Sequence, residues 1–237
     1  MTAAGPSFLT AEWLHVLGVT YAVDEELLVP HLPRGAQIDT LEGAPRVSIV
    51  AFHFRRTRLR GVPIPLHVNF GEINLRFYVR LDGRRAVVFI REFVSRPAIS
   101  LVAKLTYNEP YRTIRMRDEV LSGDDGLIGV RHRFGRRLGN RLEAWADPEP
   151  VVPSEDSAGY WLTHHDLGVG RGRDGSARSY EVEHPVWALH EVRSLEVEVD
   201  FARLYGPQWA YLAETEPSHV TLAEGSPVSI TPAAVAG

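Results

Sequence analysis

Glu72, Asn74, Arg76 and Tyr78 recur at every second position and alternate with Ile73, Leu75, Phe77 and Val79. On a β-strand that period gathers a carboxylate, an amide, a guanidinium and a phenol on one face. Such a set could line a cavity, with the guanidinium fixing an anion and the carboxylate moving a proton. The polar outer face of an ordinary antiparallel strand has the same pattern, so both readings stand. Arg91 and Glu92 follow four apolar residues, Val87 to Ile90. Unpaired charge is costly in that context, so each requires a partner, in a structural ion pair or in a site. Arg96 could hold a substrate carboxylate bidentately or belong to a loop. His184 precedes Pro185 and follows Glu181 and Glu183, a grouping suited to proton transfer and equally to a structural strand bend. His67 and Asn69 flank Val68 and would project from the same side of a strand as pocket groups.

Other chemistries find less support. The chain has no cysteine, which excludes disulfides, thiolate metal sites and a cysteine nucleophile. No Gly-x-Ser-x-Gly elbow occurs. His164 and His165 would face opposite ways on a strand and make no convincing metal pair, so no metal site is expected. Gly168, Gly170, Gly172 and Gly175 read as a turn-rich loop, a candidate lid, without the strand–helix setting of a phosphate cradle. Lys104 is the sole lysine; near Ser100 and Asn108 on an expected helix, it reads as a solvated surface charge.

The elements that must position these groups are mostly strands. Ala44 to Phe54 and Asn69 to Arg80 have strand character, Asp82-Gly83 supplies a hairpin turn, and Ala86 to Val94 is apolar on both faces and therefore central. Pro97 opens a helix carrying Ile99, Leu101, Val102 and Leu105, which must end before Pro110. Further strands are expected over Tyr111 to Glu119, Leu127 to Phe134, Arg141 to Trp145 and Tyr180 to Val199. Asp200 to Tyr205 reads as one helical turn, and His219 to Thr231 as a last hairpin around Glu224-Gly225.

With 237 residues, 44% hydrophobic and 24% charged, the chain can bury one sizeable core. Residues 1–237 read as a single domain. An N-terminal half of about 8–145 packs with a C-terminal half of about 158–232, and a proline- and acid-rich loop, 146–157, joins them. The net charge of −4 and the lack of a dominant basic patch argue against nucleic acid or an anionic membrane as partner. No apolar stretch reaches the roughly 18 residues of a membrane span, so a cytoplasmic protein is the default. A homo-oligomer stays open.

Several segments carry a resemblance. Phe8 to His15, Pro63 to Phe70, Glu72 to Arg80, Phe89 to Ala98, Asn108 to Tyr111, Glu181 to Pro185 and Leu204 to Gly206 resemble the uncharacterised DUF2071, or YqjF-like, family over most of the chain. That family is in turn similar to acetoacetate decarboxylase. The similarity implies a mainly β fold with a few helices, an acetoacetate decarboxylase-like cone-shaped antiparallel β-barrel with an internal pocket. Acetoacetate decarboxylase works through a lysine whose amine a neighbouring cation and a desolvated site keep reactive. In those enzymes the lysine follows a proline. Aligning on Pro110 puts Tyr111 and Arg112 there, and aligning on Pro97 puts Ala98 there, so neither supplies a lysine. The resemblance therefore carries over a barrel and pocket without the Schiff-base reaction, with Tyr111 as a candidate catalytic group.

Two functions follow. One is an enzyme for a small oxygenated organic acid, ketone or polyketide-like substrate, a lyase, dehydratase, isomerase or cyclase without a cofactor. In it Arg76, Arg91 or Arg96 would anchor an anion and Glu72, Glu92 or His184 would move a proton. The other is a non-catalytic binding or sensing protein whose apolar cavity holds a small-molecule ligand.

Overall fold

The computed structural model describes residues 7–63, 65, 67–97, 111–123, 125–172 and 175–235. Four long strands dominate the N-terminal half: β1 (Leu9–Ala22), β2 (Ala44–Leu59), β3 (Phe70–Leu81) and β4 (Arg84–Val94). Asp82 and Gly83 join β3 to β4 with φ of 51° and 77°, the left-handed pair that matches a two-residue hairpin to strand twist. The short β5 (Tyr111–Thr113) precedes β6 (Met116–Ser122), β7 (Ile128–Phe134) and β8 (Asn140–Ala146). The C-terminal half holds α1 (Ala158–Thr163), β9 (Leu167–Arg171), β10 (Ala177–Glu183), β11 (Val192–Glu198), α2 (Phe201–Tyr205) and β12 (His219–Ile230). Both helices start on a side-chain cap: Ser157 accepts from the Tyr160 amide and Asp200 from the Arg203 amide.

The main sheet runs β12–β1–β2–β3–β4–β9–β10, and β10 pairs again with β12 through Val182↔Ile230 and Glu183↔Ser229. It is not wholly antiparallel as expected. β4 pairs in parallel with β5, and with β9 at Val87↔Gly168. β11–β8–β7–β6 form a second, antiparallel sheet. Ile73, Leu75 and Phe77 of β3 share one buried cluster with Phe134, Leu142 and Ala144 of that sheet. The alternate residues Glu72, Asn74 and Arg76 therefore point away from this core, yet Glu72 and Asn74 are also buried. The polar side of β3 is an interior surface, not a solvated one.

Two expectations drawn from glycine are corrected. His219 to Ile230 is one strand rather than a hairpin, and β1 keeps its register with it from Leu14↔Gly225 to Val16↔Ala223. Gly225 has φ of 94°, and a Cβ there would lie 1.9 Å from the Trp13 carbonyl oxygen, so this glycine serves close strand approach. Gly168 and Gly170 likewise lie inside β9, not in a lid loop. The Tyr180 ring occupies the space over Gly168, where a Cβ would stand 2.3 Å from Tyr180 Cζ. The expected helix beyond Pro97, with Lys104, falls outside the described residues. No helix among the described residues is long and apolar enough to cross a membrane.

Candidate active site

Strand register assembles the site. Val50 of β2 pairs with Asn74 of β3, Asn74 with Glu92 of β4, and Glu92 with Tyr111 of β5, giving one row across four strands. Side chains opposite one another on neighbouring strands share a face, so Asn74, Glu92 and Tyr111 converge. A bulge in the β3–β4 ladder lies between Leu75↔Arg91 and Arg76↔Phe89. It shifts the parity of β4: Val87 and Phe89 before it and Glu92 after it face the same cavity. Arg91 pairs instead with core-facing Leu75, and its Nη1 donates to the Leu204 carbonyl on the far side of the sheet.

The cavity has a volume of about 70 Å³ and is bounded mainly by Trp13, Phe52, Phe54, Val87, Phe89 and Trp187. One water needs only about 10–15 Å³, so a molecule of several heavy atoms fits. Within these apolar walls sit Glu72 at 4% exposure, Asn74 at 1% and Glu92 at 1%. Asn74 Nδ2 donates to Glu72 Oε1 at 3.3 Å, and the Tyr111 hydroxyl donates to Glu72 Oε2 at 3.4 Å. Burial pushes the Glu72 carboxyl up to about 7, against the opposing pull of those two hydrogen bonds and of the Arg76 charge. The Tyr111 phenol is raised by burial and by the negative charge of Glu72 and Glu92, and it also shares a hydrogen bond with Glu92. A carboxyl that titrates near neutrality beside a phenol and a guanidinium is equipped to take up or release a proton at neutral pH.

Arg76 reaches the cavity while its Nη2 donates to the Leu162 carbonyl at 3.2 Å; its buried Nε has no partner. Tyr78, on the same side of β3, stands behind the cavity. Its hydroxyl meets Ser48 Oγ at 2.6 Å, and its ring packs on Trp161 and His165 at centroid distances of 4.5 and 5.0 Å. His184 lines the cavity, stacked on Trp187 at 4.2 Å with Nδ1 donating to the Pro185 carbonyl, and burial lowers its pKa. Thus Glu72, Asn74, Arg76, Glu92, Tyr111 and His184 converge on one cavity.

Four other candidates lie elsewhere. Arg91 faces the opposite side of the sheet, as above. His67 and Asn69 precede β3 in irregular chain rather than on a strand; His67 Nδ1 donates to the Pro65 carbonyl and Asn69 Oδ1 accepts from the Arg56 amide. Arg96 is exposed and borders a separate cleft that also contains Asn69.

His165 is a cavity residue that reading 164–165 as a strand had hidden. The pair actually follows capped helix α1, and His165 turns inward at 7% exposure with neither ring nitrogen hydrogen-bonded. Burial, then the charges of Arg76 and Arg85, hold its pKa well below the ordinary histidine value, so it is neutral. The sequence cue was Ser157 heading a short apolar helix, Tyr160-Trp161-Leu162. No group of three or more histidines or carboxylates among the described residues could hold a metal ion.

A family model described as DUF2071, an uncharacterized conserved protein, matches residues 10–227. The Uncharacterized protein YqjF of Bacillus subtilis (strain 168) is 28% identical over 153 residues, which is 64% of this chain and 62% of that relative. The chain thus matches less than two thirds of YqjF's length. Among solved structures, the fold is similar to acetoacetate decarboxylase from Legionella pneumophila, with a TM-score of 0.65, 12% identity, and 99% of this chain and 88% of that one covered. It is also similar to the enduracididine biosynthesis enzyme MppR complexed with the condensation product of pyruvate and imidazole 4-carboxaldehyde, with a TM-score of 0.61, 13% identity, and coverage of 98% and 90%. An acetoacetate decarboxylase-like enzyme from Sphingomonas wittichii RW1 gives 0.57, 13%, 97% and 91%. At these identities the likeness establishes a shared, mostly β fold.

Proposed function

The chain belongs to the DUF2071 family, and from that premise we propose a small-molecule enzyme that moves a proton on an oxygenated organic acid inside a closed, cone-shaped β-barrel, without a Schiff-base lysine. The return pairing of β10 with β12 supports closure. The observation that carries the enzymatic reading is the buried Glu72, its carboxyl raised to about 7 in a cavity that also holds Tyr111 and Arg76.

In this reading Arg76 holds the substrate carboxylate, and Glu72 as carboxylate removes a proton from the carbon beside a carbonyl. The C–H electron pair becomes the enolate π bond and the negative charge moves to oxygen. Where that carbon bears a hydroxyl, the enediolate passes the hydroxyl proton to the former carbonyl oxygen and is protonated at the former carbonyl carbon, which completes an isomerisation. Loss of a β-hydroxyl, protonated as it leaves, completes a dehydration. Tyr111 and Glu92 share the proton traffic, and His184 closes the site beside Trp187. Absence of a reactive amine is supported by Tyr111 after Pro110, because a phenol cannot form an imine.

The aromatic walls favour a second reading, a binder that holds a small ligand without converting it. Incubating the protein with a panel of small oxo and hydroxy acids, followed by NMR, separates the two. Turnover lost in Glu72→Gln and Glu92→Gln variants that still fold supports the enzyme. A ligand held tightly, with no conversion of any panel member, supports the binder.

A further inference from the structure

The unsatisfied polar atoms around the cavity define what its ligand must present. Trp13 Nε1–H and Arg76 Nε–H are buried donors without partners, and Asn74 Oδ1 is a buried acceptor without one. This orientation of the Asn74 amide fits an ionised Glu72, since the nitrogen must then face the carboxylate. Neutral His165 adds one N–H and one lone pair, both unpartnered. Its ring is held by packing alone, at 5.0 Å from Tyr78 and 5.9 Å from Trp161, so no protein hydrogen bond fixes its tautomer. The cavity therefore asks for acceptors and donors together, within a volume of about 70 Å³.

We propose that the ligand is a small hydroxycarbonyl acid and that His165 is the residue that recognises its hydroxyl-bearing end. The carboxylate and carbonyl oxygens meet Arg76, Trp13 and the His165 N–H; the hydroxyl donates to the free histidine nitrogen or to Asn74 Oδ1. A plain oxo acid offers only acceptors and leaves both of those lone pairs empty. A buried polar site discriminates strongly against an analogue that lacks the matching group. This inference rests on the organic-acid reading of the cavity and sharpens it by one functional group.

The test compares pyruvate with hydroxypyruvate, which differ by that hydroxyl, by calorimetric titration of the full chain. Hydroxypyruvate is expected to bind at least about tenfold more tightly. In His165→Phe, which keeps a ring against Tyr78 and Trp161, the preference is expected to shrink to about twofold or less while thermal melting still shows a folded protein. Equal affinities in the wild type, or a preference that persists undiminished in a folded His165→Phe, would overturn the role given to His165 and leave the acid–base reading of Glu72 standing. Binding of neither compound would overturn the hydroxycarbonyl assignment together with the organic-acid reading it rests on.

Discussion

Glu72 and Asn74, two residues apart on β3, face the same cavity and touch, the Asn74 amide donating to Glu72 Oε1 at 3.3 Å. That contact favours the ionised carboxylate, yet burial outweighs it and moves the carboxyl from 4.5 to about 7. The folded state thus holds a proton that the unfolded chain gives up. Glu72 contributes fully to stability below pH of about 4.5, and the contribution is lost as pH rises through about 7. The shift corresponds to roughly 3 kcal/mol. Glu72→Gln is expected to melt near the wild type at pH 4.5 and to be more stable by up to about 3 kcal/mol at pH 8. Denaturant unfolding at both pH values checks this; a stability difference independent of pH would contradict the buried, raised carboxyl.

Asp118 has the opposite sign. Its carboxylate joins the two sheets, accepting from His53 Nδ1 on β2 at 2.8 Å and from His132 Nδ1 on β7 at 2.9 Å. Burial alone would raise its pKa, but the hydrogen bonds and electrostatic attraction of His132 and His53 together outweigh it and hold the carboxyl well below the usual range. Such a group stabilises the fold above the unfolded carboxyl value, near pH 4, and loses that contribution as pH falls further. Asp118→Asn is expected to cost about 3 kcal/mol at pH 7 and markedly less at pH 2 to 3. Equal losses at both pH values would show that the contact is not ionic.

Gly225 allows β12 to stay continuous against β1, with φ of 94° and no room for a Cβ beside the Trp13 carbonyl. Gly225→Ala is expected to destabilise the protein by at least about 2 kcal/mol through backbone strain and displacement of Trp13. Because Trp13 also lines the cavity, ligand affinity should fall as well. A neutral effect on both, measured by thermal melting and calorimetry, would argue against this close approach.

Much of the site was legible in the sequence because β3 alternates cleanly. Period two placed Glu72, Asn74 and Arg76 on one face, and that face meets the cavity. Arg91 was not separable from Glu92, since the β3–β4 bulge that reorders β4 depends on its partner strand and leaves no local mark among Val87 to Ile90. Tyr111 joined the candidates through resemblance, whereas its place beside Glu92 comes from the parallel pairing of β5 with β4. Gly168 and Gly225 looked like turn residues because glycine also marks the tight strand contacts they make. His165 was missed because its inward turn depends on the short capped helix before it.

Solvent exchange tests proton removal by Glu72 most directly. In deuterated buffer, wild-type protein is expected to speed deuterium incorporation at the carbon beside the carbonyl of hydroxypyruvate above the buffer rate. Glu72→Gln should lower that enhancement by at least about 100-fold, and Lys104→Ala should leave it unchanged. Enhancement retained in Glu72→Gln but abolished in Lys104→Ala would contradict acid–base chemistry at Glu72 and restore the amine as the reactive group.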